Sequence, residues 1–532
     1  MIPYCKKQMI KNGALRFSSI RFLGEKEVCG FAQKYLGYFL EEEILLSLND
    51  SVNVCFRYDE SLQQGGYRLQ IADNCEICYG DDEGVRNALA TLIVLMQYKD
   101  GAYILPCQDI EDYPDCLHRG VMIDLARGLP NQERLKEDLK RLSLAKCNKV
   151  HFHLMDQEGI CYRSEVLPFE EEIRDTKIYS KQDLKNLVTY CKDLGIQVIP
   201  EIEFPAHANA LTKIYPQLKC QTSLEEQSGW TVCMGNEATY VFFEKLIEEV
   251  CEIFPSEYIH IGGDEHAFND VPALRRWYYW NDCKVCRERM EKENLANERE
   301  LFYYGVKRLH AIVKKAGRKM ILWNDELDVS KPIDIPKDVT VQYWRIANEN
   351  RGPRKNCSYK KLLQQGFDVI CSPFEYLYIE LEKYANPEKI ASFDYKAYGN
   401  GEEYAQNVIG CEVCAWEYGN PAYSHYLYSF TPSTVLLLAK MWDRKDVVFN
   451  KAYRETLTKL VIGVNTPKNY NLFELFGSIM PPRIKGQITY ATMENELMDK
   501  ETLLKHKQIL SEIPYTYSPL YLQGLKSLCK GV

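Results

Sequence analysis

Two adjacent carboxylates, Asp264 and Glu265, follow a glycine pair in the run YIHIGGDEHAF (258–268). Tyr258 to Ile261 has the apolar, β-rich character of a strand, and Gly262 and Gly263 permit a tight turn from which both acids project. Neighbouring carboxylates in a partly buried site do not both ionise freely, so their proton affinities separate. One then serves as a neutral general acid while the other stays an anionic stabiliser at the same pH. A G-G-D-E run is also a good helix start, because acids at an N-terminus oppose the dipole. The pair by itself leaves both readings open.

Polar residues at the ends of other apolar runs favour chemistry. Asp156 closes HFHLMDQEG (151–159), and His207 follows a proline-containing turn in IPEIEFPAHANAL (199–211). Trp323 and Trp344 end two further runs, Tyr376 lies in SPFEYLY (372–378), and Trp416 ends the last. Carboxylates, an imidazole, a phenol and three indoles suit a polar ring with hydrophobic faces, such as a sugar. Its hydroxyls take hydrogen bonds and its C–H faces stack on indoles.

Such residues need a frame that brings strand ends together. Eight short apolar runs are present, at 119–125, 149–155, 197–203, 258–263, 319–325, 339–344, 368–373 and 408–416. Helical patterns separate most of them, at 133–146, 181–194, 239–254 and 297–315. Strand, helix, parallel strand in eightfold repetition predicts an α/β fold, the (β/α)8 TIM barrel, whose chemistry gathers at the C-terminal ends of its strands. A doubly wound sheet is the rival, and its glycine-rich phosphate fingerprint is missing. Residues 1–112 read as a small N-terminal α/β domain, 113–445 as the catalytic barrel, and 446–532 as a mainly helical C-terminal segment.

Composition narrows the partners. A net charge of -9 over 532 residues argues against nucleic acid, which requires a basic face. No uncharged apolar run reaches membrane-spanning length, and the opening MIPYCKKQMIKNG lacks the apolar core of a signal peptide, so a cytoplasmic protein is expected. The 20 cysteines are then expected as reduced, core-filling thiols. Cys283/Cys286 and Cys411/Cys414 have C-x-x-C spacing. The first pair sits in a charged, helix-like stretch and could be half of a zinc site, but no second pair in a comparable loop accompanies it. The second lies in a strand-like run and reads as core. Neither a metal nor any other cofactor is therefore expected.

In order along the chain, these motifs resemble glycoside hydrolase family 20, the β-N-acetylhexosaminidases. HRGVMIDLARG (118–128) resembles R-G-x-x-x-D-x-x-R, and KCNKVHFHLMDQEG (146–159) resembles K-x-N-x-x-H-x-H-L-x-D-D-x-G. IPEIEFPAHANA (199–210) is similar to I-P-E-I-D-x-P-G-H, and HIGGDE (260–265) to H-x-G-G-D-E. The likeness spans roughly residues 60–445. It implies a retaining, exo-acting hydrolysis in which the substrate's own 2-acetamido oxygen is the nucleophile. Glu265 would then be the general acid and base, and Asp264 would orient the acetamido N–H. Tyr376 would donate to the acetamido oxygen, while Trp323, Trp344 and Trp416 would wall its pocket. Arg119 would grip the outer hydroxyls, and Asp156 with His207 would form a relay tuning Glu265.

The chain departs from the family pattern at several positions. Gln157 replaces a second Asp, Glu203 replaces an Asp, and Ala206 replaces a Gly. Tyr418 stands where many members carry an acid two residues beyond the Trp, and Glu417 could substitute only on a reshaped loop. The implied partner is an N-acetylhexosamine-terminated oligosaccharide. Release of a disaccharide such as lacto-N-biose, a non-catalytic carbohydrate-binding barrel, and a retaining glycosidase with its own nucleophile are the alternatives. The C-terminal segment is a candidate dimer surface or pocket lid, so a homodimer stays in view.

Overall fold

The eight apolar runs become eight parallel strands closed on themselves. They follow a first sheet built from β1 (Lys7–Phe17), β2 (Ser19–Leu23), β3 (Ser51–Tyr58), β4 (Tyr67–Ile71), β5 (Cys75–Tyr79), β6 (Gln97–Lys99) and β7 (Ala102–Asp112). The barrel comprises β8 (His118–Asp124), β9 (Lys149–His153), β10 (Gln197–Glu201), β11 (Tyr258–His260), β12 (Lys319–Trp323), β13 (Thr340–Tyr343), β14 (Val369–Cys371) and β16 (Val408–Ala415), with a short β15 (Tyr378–Ile379) beside β16. Each strand pairs with the next in parallel, β14 pairs with β16, and β16 with β8, so the ring closes. The computed structural model describes residues 3, 5–40, 51–99, 102–130, 132–167, 178–222, 229–266, 280–344, 358–380, 387–418 and 427–444. The C-terminal segment at 446–532 lies outside them.

Both faces of the barrel strands are covered, which explains their continuous rather than alternating apolar pattern. Every residue of β8 is buried, for example. The helices Gln132–Leu144, Lys181–Asp193, Glu237–Ile253 and Glu298–Lys315 fall where the helical patterns predicted them. Ser180 caps the second in a reciprocal box with Asp183, and Asn236 and Asn297 cap the next two through their side chains. The run at 258–263 yields strand only over Tyr258–His260, because Gly262 (φ 70°) and Gly263 (φ 96°) turn the chain out of the sheet.

The first sheet has the order β1-β7-β4-β5-β3-β2, with β6 on β7. Its helix Asp82–Leu95 contacts β4 and β5 as well as the barrel helix Gln132–Leu144. A buried ion pair joins the two units: Lys146 Nζ donates to Asp112 Oδ2 at 2.7 Å, beside Tyr67 and Trp442, which also donate to Asp112. The described cysteines are all free thiols. Cys411 and Cys414 are buried in separate apolar clusters, as their i, i+3 spacing on a strand requires. No helix among the described residues is long and apolar enough to cross a membrane.

Candidate active site

The strand ends supply the candidate site. After β11 the chain turns at Gly262, whose φ of 70° favours glycine and whose Cβ position is taken up by the Glu203 carboxylate. Glu265 itself lies at φ 47°, in the left-handed region that a non-glycine residue occupies only when its surroundings force it. Two anchors do so: Glu265 N–H donates to Asp325 Oδ2 at 3.0 Å, and Trp230 Nε1 donates to the Glu265 carbonyl at 3.1 Å. Asp264 and Glu265 thereby reach the same imidazole, with His207 Nε2 at 3.7 Å from Asp264 Oδ2 and 3.5 Å from Glu265 Oε2. They differ in exposure: the Asp264 side chain is 10% accessible and that of Glu265 39%.

His207 Nδ1 lies 3.4 Å from Asp156 Oδ2, and Asp156 also receives His153 Nε2 at 3.0 Å and Arg127 Nη2 at 2.7 Å. At 3.4–3.7 Å the His207 contacts are ion pairs rather than hydrogen bonds. Burial alone would lower the His207 pKa, but the charges of Asp156 and Asp264 outweigh it and hold the imidazole well above its ordinary value. Burial likewise opposes ionisation of Asp156, yet His207, His153 and Arg127 hold that carboxyl far below the usual range. Asp264 goes the other way. Its burial, aided by the nearby Asp325, Glu265 and Glu201 carboxylates and opposed by His207, raises it to about 7. The neighbouring Glu203 is pushed well up by burial, then by Asp264 and Glu201. The separation of proton affinities expected of crowded carboxylates is present here in several groups at once.

One aromatic cluster covers the strand ends. Trp323, Trp344, Tyr378 and Trp416 pack with Met122, Cys414 and Phe374. Tyr378 stacks on Trp344 at 5.8 Å between centroids and lies 5.9 Å from Trp416, which is 6.2 Å from Trp323. Polar groups fix the indoles: Trp323 Nε1 donates to Glu201 at 2.7 Å and Trp344 Nε1 to Asp325 Oδ1 at 3.0 Å. Both oxygens of Asp325 are therefore engaged.

The structure thus brings together Asp156, His207, Asp264, Glu265, Trp323, Trp344 and Trp416, but it corrects two expectations. Arg119 lies at the N-terminal end of β8, fully buried, and faces the first sheet. It donates to Glu83, to the Lys146 carbonyl at 3.0 Å and to the Cys116 carbonyl at 2.7 Å, so it joins the two units and grips no ligand. Arg127, just beyond the C-terminal end of the same strand, is the arginine at the site, paired with Asp124 and Asp156 and 4.9 Å over the Trp416 ring. Barrel polarity would have separated the two arginines, which stand at opposite strand ends. Tyr376, half-buried, stacks on Phe393 at 4.9 Å and packs against the main core. The short helix Phe374–Leu377 carries it there, and Tyr378, the next tyrosine, enters the aromatic cluster instead.

Tyr418 turns inward to donate to Asp138 at 2.5 Å, whereas Glu417 sits at φ 49° with its N–H on Asp124 Oδ2 at 3.0 Å. Burial raises Glu417 to about 8, with Asp124 and Glu380 adding to the shift and Arg127 opposing it. Trp230, whose ring lies 4.5 Å from that of His207, escaped the sequence reading because it comes from a loop and ends no strand. The cysteine expectation is also corrected. Cys283 and Cys286 do have companions, Cys220 and Cys233, from a loop on the far side of the Glu237–Ile253 helix in sequence.

A sequence profile described as "Glycosyl hydrolase family 20, catalytic domain" matches residues 117–442. A β-hexosaminidase of Porphyromonas gingivalis is 30% identical over 257 residues, covering 45% of this chain and 31% of that protein. One from Akkermansia muciniphila is 27% identical over 430 residues, covering 75% of this chain and 83% of that protein. The chain thus spans under a third of the first relative and most of the second. Among solved structures, the β-N-acetylhexosaminidase of Bacteroides fragilis superposes with a TM-score of 0.74 at 24% identity, covering 90% of this chain and 96% of that one. The exo β-N-acetylglucosaminidase of Vibrio harveyi, in complex with N-acetylglucosamine, gives 0.72 at 21% identity, covering 86% and 76%. At these identities the structural likeness concerns the fold.

Proposed function

The chain belongs to glycosyl hydrolase family 20, and from that premise we propose that it is a retaining exo-β-N-acetylhexosaminidase, releasing terminal β-linked GlcNAc or GalNAc from glycans by substrate-assisted catalysis. One observation carries the reading: Asp264 and Glu265 share the His207 imidazole but differ sharply in exposure. The more exposed Glu265 protonates the leaving oxygen as the substrate's acetamido oxygen attacks C1 and the glycosidic bond breaks. The buried Asp264 accepts the acetamido N–H and offsets the positive charge of the cyclic oxazolinium. Glu265, now a carboxylate beside the His207 imidazolium, takes a proton from the water that opens the ring. Tyr378 replaces Tyr376 as donor to the acetamido oxygen, and Trp323, Trp344 and Trp416 wall that group.

Arg127 and Glu417 read the outer hydroxyls of the terminal sugar. Glu417 Oε2 is buried and has no hydrogen-bond partner among the described residues, which suits an atom that bonds substrate. An enzyme-borne nucleophile would need a carboxylate about 5 Å from the acid across the sugar. Asp325, the carboxylate nearest in the chain of contacts, spends both oxygens on Glu265 N–H and Trp344 Nε1. The test compares an aryl β-GlcNAc with the aryl β-glucoside bearing the same leaving group. Hydrolysis of the first is expected to be faster by orders of magnitude, since only it carries the nucleophile, and comparable rates would refute substrate assistance.

A further inference from the structure

Four cysteines with no part in the proposed reaction converge beside the site. Cys220 and Cys233 stand thirteen positions apart in the sequence, and Cys283 and Cys286 lie at the start of the helix Lys284–Lys292. All four are buried, and their sulfurs lie within 4.8 Å of one another. The closest pairs are Cys233–Cys286 at 3.6 Å, Cys233–Cys283 at 3.8 Å and Cys220–Cys286 at 3.9 Å. A tetrahedral Zn²⁺ with Zn–S bonds of about 2.3 Å sets its ligands about 3.8 Å apart. We propose that Cys220, Cys233, Cys283 and Cys286 hold one structural Zn²⁺ as a closed tetrathiolate.

The backbone around the cluster is built for that approach. A Cβ on Gly235 would stand 2.2 Å from the Val285 carbonyl oxygen and 2.7 Å from Cys286 Cα, so glycine alone lets this turn meet the first turn of the helix Lys284–Lys292. Cys283 is the N-cap of a nine-residue helix, whose positive end favours thiolates. Arg289 from the same helix donates to the Gly235 carbonyl at 3.3 Å, and Trp280 Nε1 donates to the Val232 carbonyl at 3.1 Å. A four-thiolate set selects a soft, tetrahedral divalent ion and leaves no open position for substrate or water. Zn²⁺ displaces the thiol protons to solvent, and no electron is transferred. The metal is a clamp outside the reaction. It ties the loop carrying Trp230 to the segment carrying Trp280, whose ring stacks on His266 at 3.7 Å. Trp230 bonds the Glu265 carbonyl and Trp280 stacks on the next residue, His266, so the clamp steadies the backbone that carries the acid.

The full chain, purified without chelator, is expected to carry about one Zn²⁺ per molecule by elemental analysis. Exchange into Co²⁺ should give the intense visible and sulfur-to-metal charge-transfer bands of a tetrahedral tetrathiolate. Cys233→Ser and Cys283→Ser should each lose most of the metal. The proposal is overturned if the chain, incubated with Zn²⁺ and desalted, retains less than about a tenth of an equivalent. Cobalt bands lacking thiolate character, iron at unit stoichiometry, or undiminished zinc in both variants would overturn it too. Should a serine variant fail to fold, the cobalt spectrum of the parent chain decides alone.

Discussion

At the scale of single residues, Asp264 concentrates the opposing demands of the site. Its carboxyl is raised to about 7, chiefly by burial, so the ionised form costs folding free energy. The sign follows from proton binding. Stability from the neutral group is fully present below the unfolded pKa near 3.8 and is lost as pH rises through about 7. Asp264→Asn removes that loss, so the variant should be more stable than the parent at pH 8 by on the order of 1 kcal/mol. The advantage should vanish in acid, and thermal melts at several pH values check it. The same variant should lose about a hundredfold or more in kcat/KM on an aryl β-GlcNAc, because an amide presents no charge to the developing cation. A gain in stability coupled to a loss of rate marks a group retained for chemistry.

At the scale of elements, the barrel strands carry a buried polar layer directly beneath the site. His151 sits 3.1 Å from Glu412 on β16 and 3.1 Å from Glu201 on β10, while His118 donates to Glu412 at 2.7 Å. Burial opposes the charge on Glu412, but His118 and His151 hold it well below the ordinary carboxylate value. Its contribution to stability is therefore present above the unfolded carboxylate pKa and lost as pH falls below it. Glu412→Ala strands two imidazoles between strands and should cost about 3–5 kcal/mol at neutral pH, the scale for breaking a buried ion pair. Chemical denaturation of parent and variant measures the difference. Glu201 continues the layer upward, bonding both His153 and Trp323, so a polar core set by strand register positions the relay and one indole together.

At the scale of the whole molecule, the first unit meets the barrel through Arg119, near the N-terminal end of β8, while the candidate site lies at the opposite strand ends. Arg119 and Arg127, eight residues apart on one strand and its following loop, serve these two faces. Arg119→Ala removes a fully buried guanidinium from between the two units, although Glu83 keeps Arg86 and Asn148, and should cost about 3 kcal/mol in stability, with KM for an aryl β-GlcNAc unchanged in the folded fraction. Arg127→Ala should do the reverse at the substrate, lowering kcat/KM roughly ten- to a hundredfold, as expected for a lost hydrogen bond to a charged group. Denaturation and steady-state kinetics on both variants separate the two roles, and a KM effect at Arg119 would return it to the site.

The local chemistry of the chain was enough to determine the barrel, its eight strands and the Asp264/Glu265 pair. Apolar runs between helical patterns are read residue by residue, and the adjacent acids after two glycines, ambiguous alone, gained their reading from the residues at the other strand ends. Tertiary structure alone decided which arginine stands at the candidate site and which tyrosine joins the aromatic cluster, because Tyr376 lies within a four-residue helix and Tyr378 begins the short strand that follows it. It alone joined Trp230 to Glu265, a contact across 35 positions of sequence. It also gathered Cys220 and Cys233 around the pair Cys283/Cys286, across up to 66 positions. Periodicity reports what a strand or helix buries, whereas the phase of a loop and the meeting of two loops are settled only when the whole core packs.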